Sequence, residues 1–227
     1  MAIATYESLC IDAVDTALLG RFWAAALGLE LELLDDGDAK LTGATKAVTV
    51  WVNAVPEPVT VKQRIHLDIR ARSPEDVEAI GATVVHRESF PWVVMKDPEG
   101  GELCVFGIRP GTKQGVMEVA VDTGDDHRSI AEWWGKVLGV EAKQHEHGYS
   151  YLEDVPNLPY EALVFAPVPE PKTVKNRIHL DFTTSDVQLL LDAGATLLRS
   201  PDDEISWYVL ADPDGNEFCA FIETNGR

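Results

Sequence analysis

The chain repeats itself. Lys62-Gln63-Arg64-Ile65-His66-Leu67-Asp68 returns as Lys175-Asn176-Arg177-Ile178-His179-Leu180-Asp181, and Asp97-Pro98-Glu99-Gly100-Gly101-Glu102-Leu103-Cys104 returns as Asp212-Pro213-Asp214-Gly215-Asn216-Glu217-Phe218-Cys219. The copies are offset by about half of the 227 residues. A duplication of this period confines the fold to two homologous domains of roughly 110 residues, each long enough to bury a core. The expected boundaries are residues 1–110, a linker at 111–115, and 116–227. Features held by both copies are demanded by the fold, whereas features of one copy are free to carry function.

Hydropathy patterning sets the order of elements. The first copy opens with a strand over Thr5 to Asp12, then a helix over Asp15 to Leu27 with Leu18, Leu19, Phe22, Trp23 and Ala26 at helical spacing, stopped by Gly28. Strands are predicted over 29–34, 39–42 and 47–52, separated by Asp35-Asp36-Gly37-Asp38 and Gly43. This is one βαβββ unit. After a connection carrying Pro56 and Pro58, a second unit begins at Arg64, with Ser73 as helix N-cap and proline at the first helical position. Its last hairpin turns through Asp97-Pro98-Glu99-Gly100-Gly101, to which only turn chemistry is assigned. From Val116 onward the second copy repeats the order.

A net charge of −19 without a basic stripe disfavours nucleic acid and anionic membranes as partners. No run approaches the roughly 20 apolar residues of a membrane span, and the amino terminus lacks the basic and apolar regions of a signal peptide, so a cytoplasmic location is expected. Three cysteines, two at equivalent repeat positions, argue for reduced thiols. The expected partner is a small-molecule substrate or ligand, the protein being a monomer or homodimer.

Four βαβββ units, the Phe22-Trp23 and Trp133-Trp134 helices ending in Leu-Gly, the Ile-His-Leu-Asp strands and the Asp-Pro hairpins resemble the vicinal oxygen chelate superfamily, in its glyoxalase-like branch. The resemblance covers nearly the whole chain. It implies an α+β fold with two glyoxalase-like domains, each a curled mixed sheet around a cleft with helices outside. Strand alternation then assigns the cleft faces. Arg64, His66 and Asp68, with Arg177, His179 and Asp181, should lie on the concave side, as should Glu102, Cys104, Glu217 and Cys219 from the last strands. Ser8, Cys10 and Asp12 face in from the first strand, and Glu118, Ala120 and Asp122 from its counterpart; Trp92 and Trp207 are pocket-lining candidates. Whether the units pair within a copy or across copies is left open by the sequence.

The resemblance implies metal ligands on first strands and a carboxylate on last strands. The first-strand positions carry Ser8, His66, Glu118 and His179, but the carboxylate position falls on Cys104 and Cys219. No metal is therefore assigned; were a divalent ion (Zn, Ni, Fe or Mn) present, Glu118, His179 and Cys219 would be its ligands. A polar lattice of Arg64, His66, Asp68 and Glu102 with their counterparts is the alternative use of these residues. His145 and His147 read as solvated hairpin residues. Glu118, which stands where the first copy has Ser8, is expected with His179 as an acid–base pair of lyase or isomerase type in the second domain's cleft. The alternatives are sequestration of an antibiotic or metabolite, as in bleomycin-resistance proteins, and divalent-metal lyase or dioxygenase chemistry.

Overall fold

The structure is a computed structural model that describes residues 2–223. The first unit contains β1 (Ala4–Ala13), α1 (Thr16–Leu27), β2 (Glu30–Leu33), β3 (Ala39–Thr42) and β4 (Val50–Ala54). The second contains β5 (Ile65–Ala71), α2 (Pro74–Ala79), β6 (Thr83–His86), β7 (Val93–Lys96) and β8 (Glu102–Gly107). The third contains β9 (Gly115–Thr123), α3 (His127–Leu138), β10 (Lys143–Gln144), β11 (Ser150–Glu153) and β12 (Ala162–Pro167). The fourth contains β13 (Ile178–Thr184), α4 (Val187–Asp192), β14 (Thr196–Arg199), β15 (Tyr208–Ala211) and β16 (Glu217–Ile222).

The helix ends follow from the capping residues. Asp15 and Asp126 accept the Leu18 and Ser129 amides at the starts of α1 and α3, while Gly28 and Gly139 close both helices in the left-handed region that glycine tolerates. Ser73 caps α2 through the Asp76 amide. One predicted strand differs: residues 46–48 form a single 3-10 turn, and β4 starts only at Val50, where it pairs in parallel with β1.

The units pair across the repeats. One sheet runs β14-β15-β16-β13-β1-β4-β3-β2, joining the first unit to the fourth through antiparallel β1 and β13; the other runs β10-β11-β12-β9-β5-β8-β7-β6, joining the second to the third through β5 and β9. Each eight-stranded sheet thus takes half of each sequence repeat. Helices α1 and α3 pack against strands of both sheets, so the apolar core is shared. Trp134 meets Phe182 and Phe218 edge-on or tilted and donates its indole N–H to Asp212 Oδ2 at 3.0 Å. No helix among the described residues is long and apolar enough to cross a membrane.

Polar contacts also tie the sheets together. The Glu99 carboxylate accepts the Val14 and Asp15 amides at 3.0 and 2.7 Å and the Arg177 guanidinium at 2.8 Å. The hairpin read as turn chemistry therefore carries a bond between units as well. The Tyr6 and Tyr160 hydroxyls meet at 3.0 Å. In α3, Gly135 lies where a Cβ would stand 2.7 Å from the Val140 carbonyl oxygen. Gly135→Ala is expected to lower stability by about 1–3 kcal/mol, despite alanine's higher helix propensity, because backbone cannot yield as a side chain can; a fall in the urea midpoint checks this.

Candidate functional site

Pairing across the repeats produces two clefts of different chemistry. In the first sheet, the bulge after Tyr6 sets Ser8 opposite Asp181 and Cys10 opposite His179. Asp181 Oδ2 accepts hydrogen bonds from Ser8 Oγ at 2.8 Å and from Cys10 Sγ at 3.2 Å. Cys219 is in register with Asp181 on β16. Burial and then the Asp181 charge push the thiols of Cys10 and Cys219 far up. His179 Nε2 lies 3.7 Å from Asp181 Oδ1. Above this floor opens a cavity of about 1140 Å³ walled by Trp51, Trp207 and Phe221, with Glu7, Glu217, Lys46 and Arg199 among its charged lining.

In the second sheet, the same positions carry different residues. Glu118 on β9 stands opposite Asp68 on β5, and Ala120 opposite His66. Cys104 on β8 is in register with Asp68. Glu118 is held up to about 7 by burial and then by the charges of Asp68 and Glu161, against the pull of Arg70. Arg70 itself is clamped by Glu161 through three hydrogen bonds of 2.9–3.0 Å. His66 Nε2 lies 3.4 Å from Asp68 Oδ1; burial opposes its charge, yet Asp68 and Asp122 win and raise it. Phe90, Trp92 and Phe106 stack in series at 5.1 and 5.2 Å between ring centroids. Tyr149, whose hydroxyl is raised by burial and then by the Glu118 charge, stacks on His145 at 4.3 Å.

Three expectations change. Glu118 and His179 belong to different sheets, so neither the acid–base pair nor the metal set of Glu118, His179 and Cys219 is assembled. The topology causes this, because each strand takes its cleft partner from the other repeat. The polar lattice also divides: His66 and His179 keep their aspartates, but Arg64 and Arg177 swing to the Glu170 and Glu57 carbonyls and line a separate cavity of about 600 Å³ between the connections at 55–64 and 170–177. Glu102 and Glu217 accept the Gln63 and Asn176 amides near these connections. His145 and His147 do sit at a hairpin, His145 accepting the His147 amide. Tyr149 and Glu161 lie near Glu118 and were missed by strand reading; the alternation of Tyr149 with Tyr151 of β11 was the available signal.

Paired βαβββ units curling two sheets around clefts, with helices packed on the convex faces, define the vicinal oxygen chelate class. A glyoxalase-like domain model matches residues 8–106 and 118–221, and the chain belongs to that family. Glyoxalase I from Zea mays superposes with a TM-score of 0.71 at 18% identity, covering 96% of this chain and 92% of that one. The cppA protein from Streptococcus pneumoniae TIGR4 does so with 0.52 at 12%, covering 98% and 100%. At these identities the likeness concerns the fold. No curated protein matches the sequence significantly.

The class implies a divalent metal held mainly by carboxylates and histidines. The positions concerned carry Ser8, His179 and Cys219 in the first cleft and His66, Cys104 and Glu118 in the second. A cysteine stands in place of the last-strand carboxylate in each cleft, and the first cleft has no acidic group at any of its three positions, so these sets do not fit the metal centre of the class.

Proposed function

We propose that this protein is a small-molecule enzyme of the glyoxalase-like type whose second cleft transfers protons through Glu118, on substrates carrying a carbonyl beside a hydroxyl. The supporting observation is the placement of Glu118 directly opposite Asp68 on a partly buried floor. Two adjacent carboxyl groups resist ionising together, so one proton is retained near neutral pH. A group poised there can take a proton from a carbon next to a carbonyl and return it to the neighbouring atom, the pattern of an isomerase or lyase. His66, held beside Asp68, steadies the ionised partner. The stacked Phe90, Trp92 and Phe106 supply an apolar wall for the body of the substrate.

The test is deuterium exchange. The protein is incubated in D2O with a panel of small α-hydroxy aldehydes and ketones, and NMR follows loss of the α-proton. Enzyme-dependent exchange on at least one compound, reduced about 100-fold or more in Glu118→Gln, is expected. Exchange that survives the substitution overturns the role of Glu118. No exchange on any compound overturns proton transfer and turns the reading to ligand capture in the aromatic clefts.

A further inference from the structure

We propose that the cavity between the two connections binds a small carboxylate with an apolar body, its charge held by Arg64 and its body by Val59, Val61 and Val174. The site uses no residue of the Glu118 floor and is independent of the proton-transfer reading.

The sequence repeat extends into the connections. Glu57-Pro58-Val59-Thr60-Val61-Lys62-Gln63-Arg64 returns as Glu170-Pro171-Lys172-Thr173-Val174-Lys175-Asn176-Arg177. Both stretches line the cavity of about 600 Å³, and each terminal arginine reaches the other stretch, Arg64 donating to the Glu170 carbonyl and Arg177 to the Glu57 carbonyl. Such a volume is ordinary for a small-molecule pocket. Most of its charges are already answered. Lys62 and Lys175 pair with Asp122 and Asp12, and Glu57 and Glu170 are exposed residues that engage the arginines only through their main chain.

The two copies differ at the points that would select a ligand. Arg177 meets the Glu99 carboxylate at 2.8 Å and keeps only 10% of its side-chain surface exposed. The repeat equivalent of Glu99 is Asp214, which is exposed and forms no ion pair, so Arg64 meets no carboxylate among the described residues. Arg64 Nε is buried without a partner, and its Nη2 meets no acceptor. A half-buried guanidinium without a counter-charge is costly, and a ligand carboxylate at Nη2 would supply one. The second difference is Val59 against Lys172. Val59 lines the cavity with Val61 and Val174, whereas Lys172 is drawn away to Glu217 at 2.8 Å. One unmatched cation among apolar walls favours a monoanion with an apolar body over a phosphate or a dicarboxylate, whose further charge would be buried unpaired.

The full chain is titrated in a calorimeter with octanoate and with octanamide, its uncharged analogue of the same length. One octanoate per chain, bound at least about 10-fold more tightly than octanamide, is expected. Arg64→Gln should weaken octanoate at least about 10-fold, with unchanged far-ultraviolet circular dichroism, and remove its advantage over octanamide. Val59→Trp, which fills the cavity, should abolish binding of both. Should Arg64→Gln fail to fold, the octanamide comparison and Val59→Trp decide. Asp12, Val55 and Lys175 also wall the first cleft, so Trp207→Ala and Trp92→Ala serve as controls for binding in either cleft and should keep the wild-type octanoate affinity. No saturable binding of octanoate, equal affinity for octanamide, undiminished affinity in Arg64→Gln or Val59→Trp, or loss in Trp207→Ala or Trp92→Ala would each overturn the proposal.

Discussion

Glu99→Ala should lower the free energy of unfolding by about 3 kcal/mol, while Asp214→Ala, at the same position of the other hairpin, should stay within about 0.5 kcal/mol of the wild type. The two residues are repeat equivalents with opposite surroundings. Glu99 and Arg177 each keep only 10% of their side-chain surface exposed, whereas Asp214 is exposed. Removing Glu99 leaves a buried guanidinium without its counter-charge and two amides at the start of α1 without an acceptor. The Glu57 carbonyl still serves Arg177, which keeps the effect at the lower end of what breaking a buried pair costs. Urea denaturation of both variants measures the difference. Equal effects would mean that the hairpins act only as turns.

Glu118→Gln should stabilise the protein at alkaline pH and leave it nearly unchanged in acid. In the folded state Glu118 titrates at about 7, above the ordinary value of 4.5. Below 4.5 both folded and unfolded chains hold the proton, and no stability is lost. Between 4.5 and 7 the unfolded chain releases the proton that the folded chain keeps, so stability falls as the pH rises, and above 7 the loss is complete. With allowance for the solvent-facing part of the side chain, the loss is about 2 kcal/mol. Glutamine cannot ionise and escapes it. Asp97 and Asp212, both lifted to about 6 chiefly by burial, slope in the same direction but are common to both proteins and cancel in the difference. Denaturation of wild type and variant at pH 4.5 and 8 supplies the comparison. A difference independent of pH would show that Glu118 ionises normally.

Most elements and the alternation of their faces were legible in the sequence because they depend on local information. Alternation along Ile65 to Arg70 separates buried Ile65, Leu67 and Ile69 from His66 and Asp68, and Asp15, Ser73, Gly28 and Gly139 mark helix ends by their own chemistry. Partner choice was not legible. β1, β5, β9 and β13 present equivalent edges, so nothing in Ser8 or Glu118 declares whether Asp181 or Asp68 will stand opposite. The arginines escaped for another reason: they sit just before β5 and β13, where a long side chain follows the connection rather than the pleat. Glu99 reads as a hairpin residue because its partners lie 78 to 85 residues away in sequence.

The pairing of units nests like brackets, and this sets an order of assembly. Lys62 meets Asp122 after a loop of 60 residues, whereas Ser8 meets Asp181 only across 173. Closing the longer loop costs about 0.6 kcal/mol more per doubling while the chain is unfolded, and far less once the inner sheet has formed and drawn its ends together. The inner sheet, which ends at Pro167, leaves the ribosome ahead of the last unit, which begins at Ile178. The outer cleft, with the thiol-rich floor, would then be the last part of the molecule to take shape and would require both ends of the chain.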